Sequence, residues 1–149
     1  MAKYKIKINK AKKDSNEYKV ITGKPHYRKE HPKFRFNYYM YDNKKLSFTC
    51  INEIKKFHLL FKNLRKYCCI TWEQIISNHY YHAHDLTWTT NTLPDAIKNL
   101  QNNEEIRDYP LFQFNPFTKN DPERIIGFFD RDNIFQVLGI DKEHSIYPE

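Results

Sequence analysis

The strongest constraint on the fold of this chain lies in its last quarter, where two apolar runs flank a short polar segment. The runs Ile125–Phe129 and Ile134–Ile140 are rich in Ile, Phe and Val, and Asp130–Asn133 separates them. A polar loop of this length between such runs predicts a β-hairpin. Together with an earlier apolar run, the pattern predicts strands at 111–115, 124–129 and 134–140, and residues 144–147 are a candidate for a short final strand.

The middle of the chain shows helical spacing. Apolar side chains recur at the period of one helix face, namely Ile54, Phe57, Phe61, Leu64 and Cys68. This spacing predicts an amphipathic helix from Asn52 to about Tyr67. Its other face is basic, with Lys55, Lys56, Lys62, Arg65 and Lys66. A capping box at Thr71–Gln74 predicts a second helix to about Asn78, and Pro94 suits the start of a third over 95–101.

These elements predict an α+β fold, with a mostly antiparallel sheet packed against two or three helices and a basic N-terminal arm. Aromatic alternation over 34–41 predicts a strand, 42–45 a turn, and 46–50 the returning strand. We expect residues 1–33 to form a basic arm, or an edge strand followed by a linker. Residues 34–149 are expected to form the α+β core domain.

Positive charge is concentrated near the N-terminus. Residues 1–45 hold 14 Lys/Arg and 4 Asp/Glu, whereas the remaining residues hold 11 and 14. This division is typical of an arm that binds nucleic acid or an acidic protein, although a solubilising tail would look the same. The candidate nucleic-acid-binding residues are Lys3, Lys5, Lys7, Lys10, Lys12, Lys13, Arg28 and Arg35.

Composition excludes several classes of protein. The chain has only 3 Gly and lacks glycine-rich phosphate motifs, so no cofactor is expected. Three cysteines, Cys50, Cys68 and Cys69, do not make a disulfide framework and fit a reducing compartment. No apolar run is long enough to span a membrane, and the basic N-terminus lacks the apolar segment of a signal peptide. We therefore expect a cytoplasmic protein without a membrane partner.

One histidine-rich segment is a candidate metal site. Residues 79–85 read H-Y-Y-H-A-H-D, so His79, His82, His84 and Asp85 are candidate ligands. Zinc needs three or four such side chains to converge at about 2.0–2.3 Å. The segment matches only part of the H-x-H-x-D-H signature of metallo-β-lactamase-type hydrolases. An ordinary polar loop, buried hydrogen-bonded histidines and a general base are the alternatives.

A second set of side chains surrounds the hairpin. Arg124 opens it, and His144 and Tyr147 follow it. Cleavage of RNA by its 2′-hydroxyl needs a base, an acid and a cation that stabilises charge on phosphorus. His, Tyr and Arg can provide these groups without a metal. The alternative is that Arg131 in the hairpin loop is only a loop charge and that His144–Tyr147 is an ordinary surface strand.

The order strand, helix, helix, strand, strand, strand over roughly residues 34–147 resembles the RelE/ParE superfamily of bacterial toxins. The most specific part is R-I-I-G-F-F-D-R-D-N-I-F-Q-V-L, followed by His144 and Tyr147. The resemblance implies a ribosome-dependent endoribonuclease in which Arg124 contacts the scissile phosphate, His144 acts as acid or base, and Tyr147 orients or assists. Lys142-Glu143-His144 stands where the superfamily usually has a lysine pair.

The residues and the resemblance together predict an RNA-binding protein, and in the fullest form a RelE-like toxin that cleaves RNA by metal-independent acid–base chemistry. RNA is favoured over DNA as the partner, either alone or within a nucleoprotein such as the ribosome. An antitoxin or another protein is a further candidate partner. The alternatives are a non-enzymatic inhibitor from a phage or mobile element that acts through its basic face, and a metal-dependent hydrolase.

Overall fold

The computed structural model describes residues 26–88 and 92–146. They form a five-stranded sheet in the order β1-β5-β4-β3-β2, with three α-helices. The strands are β1 Phe34–Arg35, β2 His84–Leu86, β3 Leu111–Phe114, β4 Arg124–Phe129 and β5 Phe135–Asp141. The helices are α1 Ile54–Tyr67, α2 Trp72–Ser77 and α3 Asp95–Lys98. Only β1 pairs in parallel, with β5, so the predicted α+β class with a mostly antiparallel sheet is confirmed.

Both faces of the sheet are covered. On the face that we call the helix face, Phe112 and Phe129 pack with Trp72 of α2 and Leu60 of α1. On the opposite face, which we call the loop face, Leu111, Ile126, Phe128 and Leu138 pack with Leu46 from the loop after β1 and Ile97 of α3. Double coverage explains why the strands read as continuous apolar runs instead of alternating ones.

The predicted hairpin is confirmed as β4 and β5. Its turn is held by the carboxylate of Asp130, whose Oδ1 accepts hydrogen bonds from the backbone N–H groups of Asp132 at 2.8 Å and Ile134 at 3.1 Å. Asn133 adopts the left-handed conformation, with φ 59°, which asparagine tolerates better than most residues. The strand register is irregular beside Gly127.

The earlier strand prediction is only partly right. Of the strand predicted over 34–41, only Phe34–Arg35 pairs with another strand. The prediction of a returning strand at 46–50 is wrong, because Phe48–Cys50 forms a 3-10 turn. The chain still follows the outer edge of β5: Met40 N–H donates to Leu138 O at 2.9 Å, and Ile140 N–H donates to Leu46 O at 2.7 Å. These separated hydrogen bonds, with turns between them, pair backbone groups at the outer edge of β5 in place of a second long strand.

Two further expectations about element ends differ from the structure. The residue before α1 is Glu53 and not Asn52, and its side chain makes no capping bond. Residues 144–146 do not form a strand, because His144 has a left-handed φ of 53° and Asp141 Oδ2 accepts a hydrogen bond from Ile146 N–H at 2.8 Å. The capping box at Thr71 is confirmed, with both reciprocal bonds present.

The first described residues belong to the core. Tyr27 is buried, and its ring stacks on Phe129 with 3.6 Å between the ring centroids. Its hydroxyl donates to Asp85 Oδ1 at 3.0 Å, and burial with this nearby carboxylate raises the pKa of Tyr27. The remainder of the predicted arm, with Lys3, Lys5, Lys7, Lys10, Lys12 and Lys13, lies outside the described residues, as does Tyr147.

Candidate functional site

The buried face of α1 matches the predicted one only in part, because Phe57 and Leu64 pack against the core while the other three predicted residues are exposed. Leu60, Asn63 and Tyr67 point into the protein, whereas Ile54 is 89% exposed and Phe61 is 63% exposed. Asn63 belongs to the buried face because its Nδ2 donates to the carbonyls of Pro116 and Phe117 at 3.1 and 3.0 Å. The helix is therefore rotated about its axis relative to the prediction.

This rotation creates an exposed surface that mixes apolar and basic side chains. Ile54, His58, Phe61 and Arg65 recur at spacings of three and four residues, so they form one line along the helix. A second line beside it carries Lys55, Lys62 and Lys66, all exposed. We call the two lines together the outer face of α1. Helix α1 contains no Asp or Glu, so this face has no internal counter-charge.

Four cations of the outer face make no ion pair with any residue in 26–88 or 92–146. They are Lys55, Lys62, Arg65 and Lys66. Lys56 differs, because it turns inward to Glu123 and lies 3.8 Å from Asp121 Oδ1. Burial alone would lower the pKa of Lys56, but the hydrogen bond and charge of Glu123, helped by Asp121, raise it. Lys56 therefore joins α1 to the β3–β4 loop, while the other four cations face solvent.

One end of the sheet gathers polar side chains on the loop face. In the strand register, His84 of β2 pairs with Gln113 of β3, and Arg124 of β4 pairs with Asp141 of β5. Gln113 also pairs with Ile126, which shares a face with Arg124 because side chains alternate along a strand. We call His84, Gln113, Arg124, Asp141 and the following His144 the polar end of the sheet.

Within the polar end, His84 contacts Gln113 directly. Gln113 Nε2 lies 2.8 Å from His84 Nε2, and His84 Nδ1 lies 3.1 Å from the carbonyl of Asp85. These contacts fit the tautomer in which Nδ1 carries the proton and Nε2 accepts. Gln113 is fully buried, and its Oε1 has no hydrogen-bond partner among the described residues. No sequence signal points to Gln113, because it interrupts an apolar strand without belonging to any motif.

Arg124 lies at the predicted position at the start of β4, but it is only 3% exposed. Its Nη1 donates to the carbonyls of Asp121 at 2.7 Å and Glu123 at 3.0 Å. The guanidinium thus fixes the end of the β3–β4 loop. His144 is half-buried and follows the end of β5 by three residues, so the register brings it to the same end of the sheet.

The four candidate metal ligands do not converge. His79 is exposed in a 3-10 turn, and His82 has a left-handed φ of 46°. His84 and Asp85 are neighbours on a strand and therefore point to opposite faces, with Asp85 bound by Tyr27. Among residues 26–88 and 92–146, which include all four candidates, no group of three or more His, Cys, Asp or Glu is placed to hold a metal ion.

The two candidate nucleic-acid-binding arginines in the described chain contact acidic side chains. Arg28 Nη2 lies 3.9 Å from Asp85 Oδ2. Arg35 Nη1 lies 3.1 Å from Asp130 Oδ2 and 3.8 Å from Asp132 Oδ2, and it thereby joins β1 to the turn of the hairpin. A phosphate would compete with these carboxylates, so both arginines are less available to an anion than the exposed cations of α1.

Comparison of the chain with protein-family models, curated proteins and solved structures found no match. No helix in residues 26–88 and 92–146 has the length and apolar character that a membrane crossing requires.

Proposed function

We propose that the protein binds RNA, with the outer face of α1 as its phosphate-binding surface. The observation that carries this proposal is the set of four cations, Lys55, Lys62, Arg65 and Lys66, on an acid-free helix without ion pairs to described residues. A polyanion offers the counter-charge that the protein lacks here, and phosphate contacts supply most of the affinity of such surfaces. The preference for RNA over DNA follows from the resemblance to RelE/ParE toxins. The lysines of the N-terminal arm would add further positive charge for binding phosphates.

The test of this proposal is the salt dependence of RNA binding in two charge-matched double variants. Lys62→Gln/Lys66→Gln removes two charges from the outer face of α1, and Lys44→Gln/Lys45→Gln removes two from an exposed loop. For unpaired RNA, each lost phosphate contact should reduce the slope of log affinity against log salt by about 0.7. We expect a loss of affinity and a smaller slope only in the α1 variant.

Two results would contradict the proposal. Equal effects in both double variants would mean that only net charge matters, and full affinity in the α1 variant would place the binding surface elsewhere. Because all four lysines are exposed, thermal unfolding should be nearly unchanged in both variants and serves as the folding control.

The polar end of the sheet supports cleavage of RNA as a second candidate function. The ends of β2, β4 and β5 place His84, Arg124 and His144 at one end of the sheet. Two imidazoles could act as acid and base, and a buried cation would stabilise the charge that develops on phosphorus. Arg124 would act there as a fixed positive charge, since its Nη1 already donates to two carbonyls.

Cleavage is tested by incubating labelled RNA with the wild-type protein and with the His84→Ala and His144→Ala variants in the presence of a metal chelator. The second candidate predicts a cleaved product from the wild-type protein and a rate at least 100-fold lower in each variant, as expected when an acid or base is removed. If the wild-type protein binds the RNA and leaves it intact, the protein is the non-enzymatic binder.

A further inference from the structure

We propose that Phe61 is a stacking platform for one base of an unpaired RNA strand, which makes single-stranded RNA the ligand of the outer face of α1. This inference rests on the proposed RNA-binding function and adds the class of RNA and the mode of contact. It starts from the position of Phe61, which is 63% exposed in the middle of a 14-residue helix.

No other aromatic ring of the described chain packs on Phe61, and most of its surface is exposed. Phe61 has no aromatic ring partner among residues 26–88 and 92–146, although most other described phenylalanines do. A single exposed aromatic residue is common on protein surfaces, so exposure alone would mean little. Its neighbours are what give Phe61 a role.

The surroundings of Phe61 match the two chemical parts of a nucleotide. Arg65 lies one turn after Phe61, and Lys62 is its direct neighbour in the chain. His58 lies one turn before it, on the same line. The cations would hold phosphates beside the ring, while the ring offers a flat apolar surface to a base. Ile54 lies two turns before Phe61 and extends the apolar line, so a neighbouring sugar or base would also meet apolar surface.

The same geometry selects against duplex RNA. In an A-form helix the bases are stacked on each other and the major groove is too narrow for side chains, so a phenyl ring cannot reach a base face. An unpaired strand can turn one base out onto the ring without breaking a pair. A duplex would keep only the phosphate contacts to Lys55, Lys62, Arg65 and Lys66.

The experiment measures affinity for an unpaired RNA and for a duplex of the same length, with wild-type protein and three variants. Phe61→Leu keeps an apolar side chain without a ring, and Phe61→Tyr keeps the ring. Tyr41→Ala removes a still more exposed ring, 76% exposed, from the loop after β1. We expect Phe61→Leu to weaken binding of the unpaired strand by about 5- to 150-fold, the range for loss of one base stack.

The other expected results separate stacking from charge. Phe61→Leu should leave duplex binding and the salt slope unchanged, and Phe61→Tyr and Tyr41→Ala should bind like the wild-type protein. If Phe61→Leu binds the unpaired strand normally while Lys62→Gln/Lys66→Gln is weakened, the stacking inference is wrong and RNA binding stands. Equal weakening for both RNA forms would also overturn it. If the wild-type protein binds neither RNA, or binds only an acidic peptide on this face, both proposals fall.

Discussion

Gly127 shows how closely a single position is constrained in this sheet. A Cβ at this residue would lie 2.1 Å from Gln136 O and 2.6 Å from Phe135 Cζ, at the irregular point of the β4–β5 register. The backbone oxygen cannot move without breaking the ladder, and the Phe135 ring is part of the packed core. Only glycine therefore fits at this position.

We predict that Gly127→Ala lowers the free energy of unfolding by about 1–3 kcal/mol or more, the usual cost of overpacking a core. Urea unfolding followed by circular dichroism measures the change. Ser77→Ala is a suitable control, because Ser77 is exposed and its hydroxyl donates only to the Glu73 carbonyl of its own helix. A Gly127→Ala protein as stable as the wild type would show that the strands can separate at this point.

Asn63 explains why the orientation of α1 could not be predicted from hydrophobicity. The apolar spacing placed Phe61 and Ile54 inside, but the buried line includes a polar residue that donates to two carbonyls of the β3–β4 loop. These partners are more than 50 residues away in the chain, so no local pattern records them. For the same reason, the apolar spacing places Phe61, the proposed stacking residue, in the core.

At the scale of elements, ion pairs connect the β3–β4 loop to α1, through Lys56 with Asp121 and Glu123. Asp121 Oδ2 accepts hydrogen bonds from the backbone N–H of Thr118 at 3.0 Å and from its hydroxyl at 2.6 Å. Burial alone would raise the pKa of Asp121, but the bonds from Thr118 and the charge of Lys56 outweigh it and lower the pKa. The folded protein thus prefers the ionised carboxylate more strongly than the unfolded chain does.

We predict that Asp121 makes the free energy of unfolding fall at acidic pH. The stabilisation by Asp121 should be complete above the ordinary aspartate pKa of about 3.9 and should be lost as pH falls through the lower pKa of the folded state. Asp121→Asn should therefore be less stable at neutral pH and should show a weaker pH dependence of the unfolding free energy below about pH 4. Thr118→Val should weaken the dependence in the same way. Unchanged pH dependence in both variants would exclude Asp121 as the responsible group.

Among the elements, those with strong local signals were predicted correctly. The hairpin, β3, α1 and the capping box of α2 follow from periodicity and turn chemistry, and the structure contains them within a residue or two. The region 36–50 is predicted less well. Its aromatic side chains alternate because they pack on both sides of the chain, but the chain follows β5 through separated hydrogen bonds and not as a regular strand. The polar end cannot be foreseen as a unit, since its members come from four strands and the segment after β5, and the strand register that brings them together is a tertiary property.

At the scale of the whole molecule, the helix face and the loop face are both filled by core side chains. The described sheet therefore has no open face, and the two proposed sites lie elsewhere, on the outer face of α1 and at the polar end. They differ in chemistry, because the first is an exposed cationic surface and the second consists mostly of buried polar groups. The proposed binding and the proposed cleavage thus depend on separate sets of residues.

Because one side of α1 is exposed, its residues can change during evolution without loss of the fold. Ile54, Phe61, Lys62 and Arg65 are exposed, so substitutions there cost little stability, whereas Leu60, Asn63 and Tyr67 hold the helix in place. Selection can therefore change the chemistry of this surface without first having to repair the fold. A related chain with the same inner line and a different outer line would be expected to keep this architecture and, under the proposed function, to bind a different ligand.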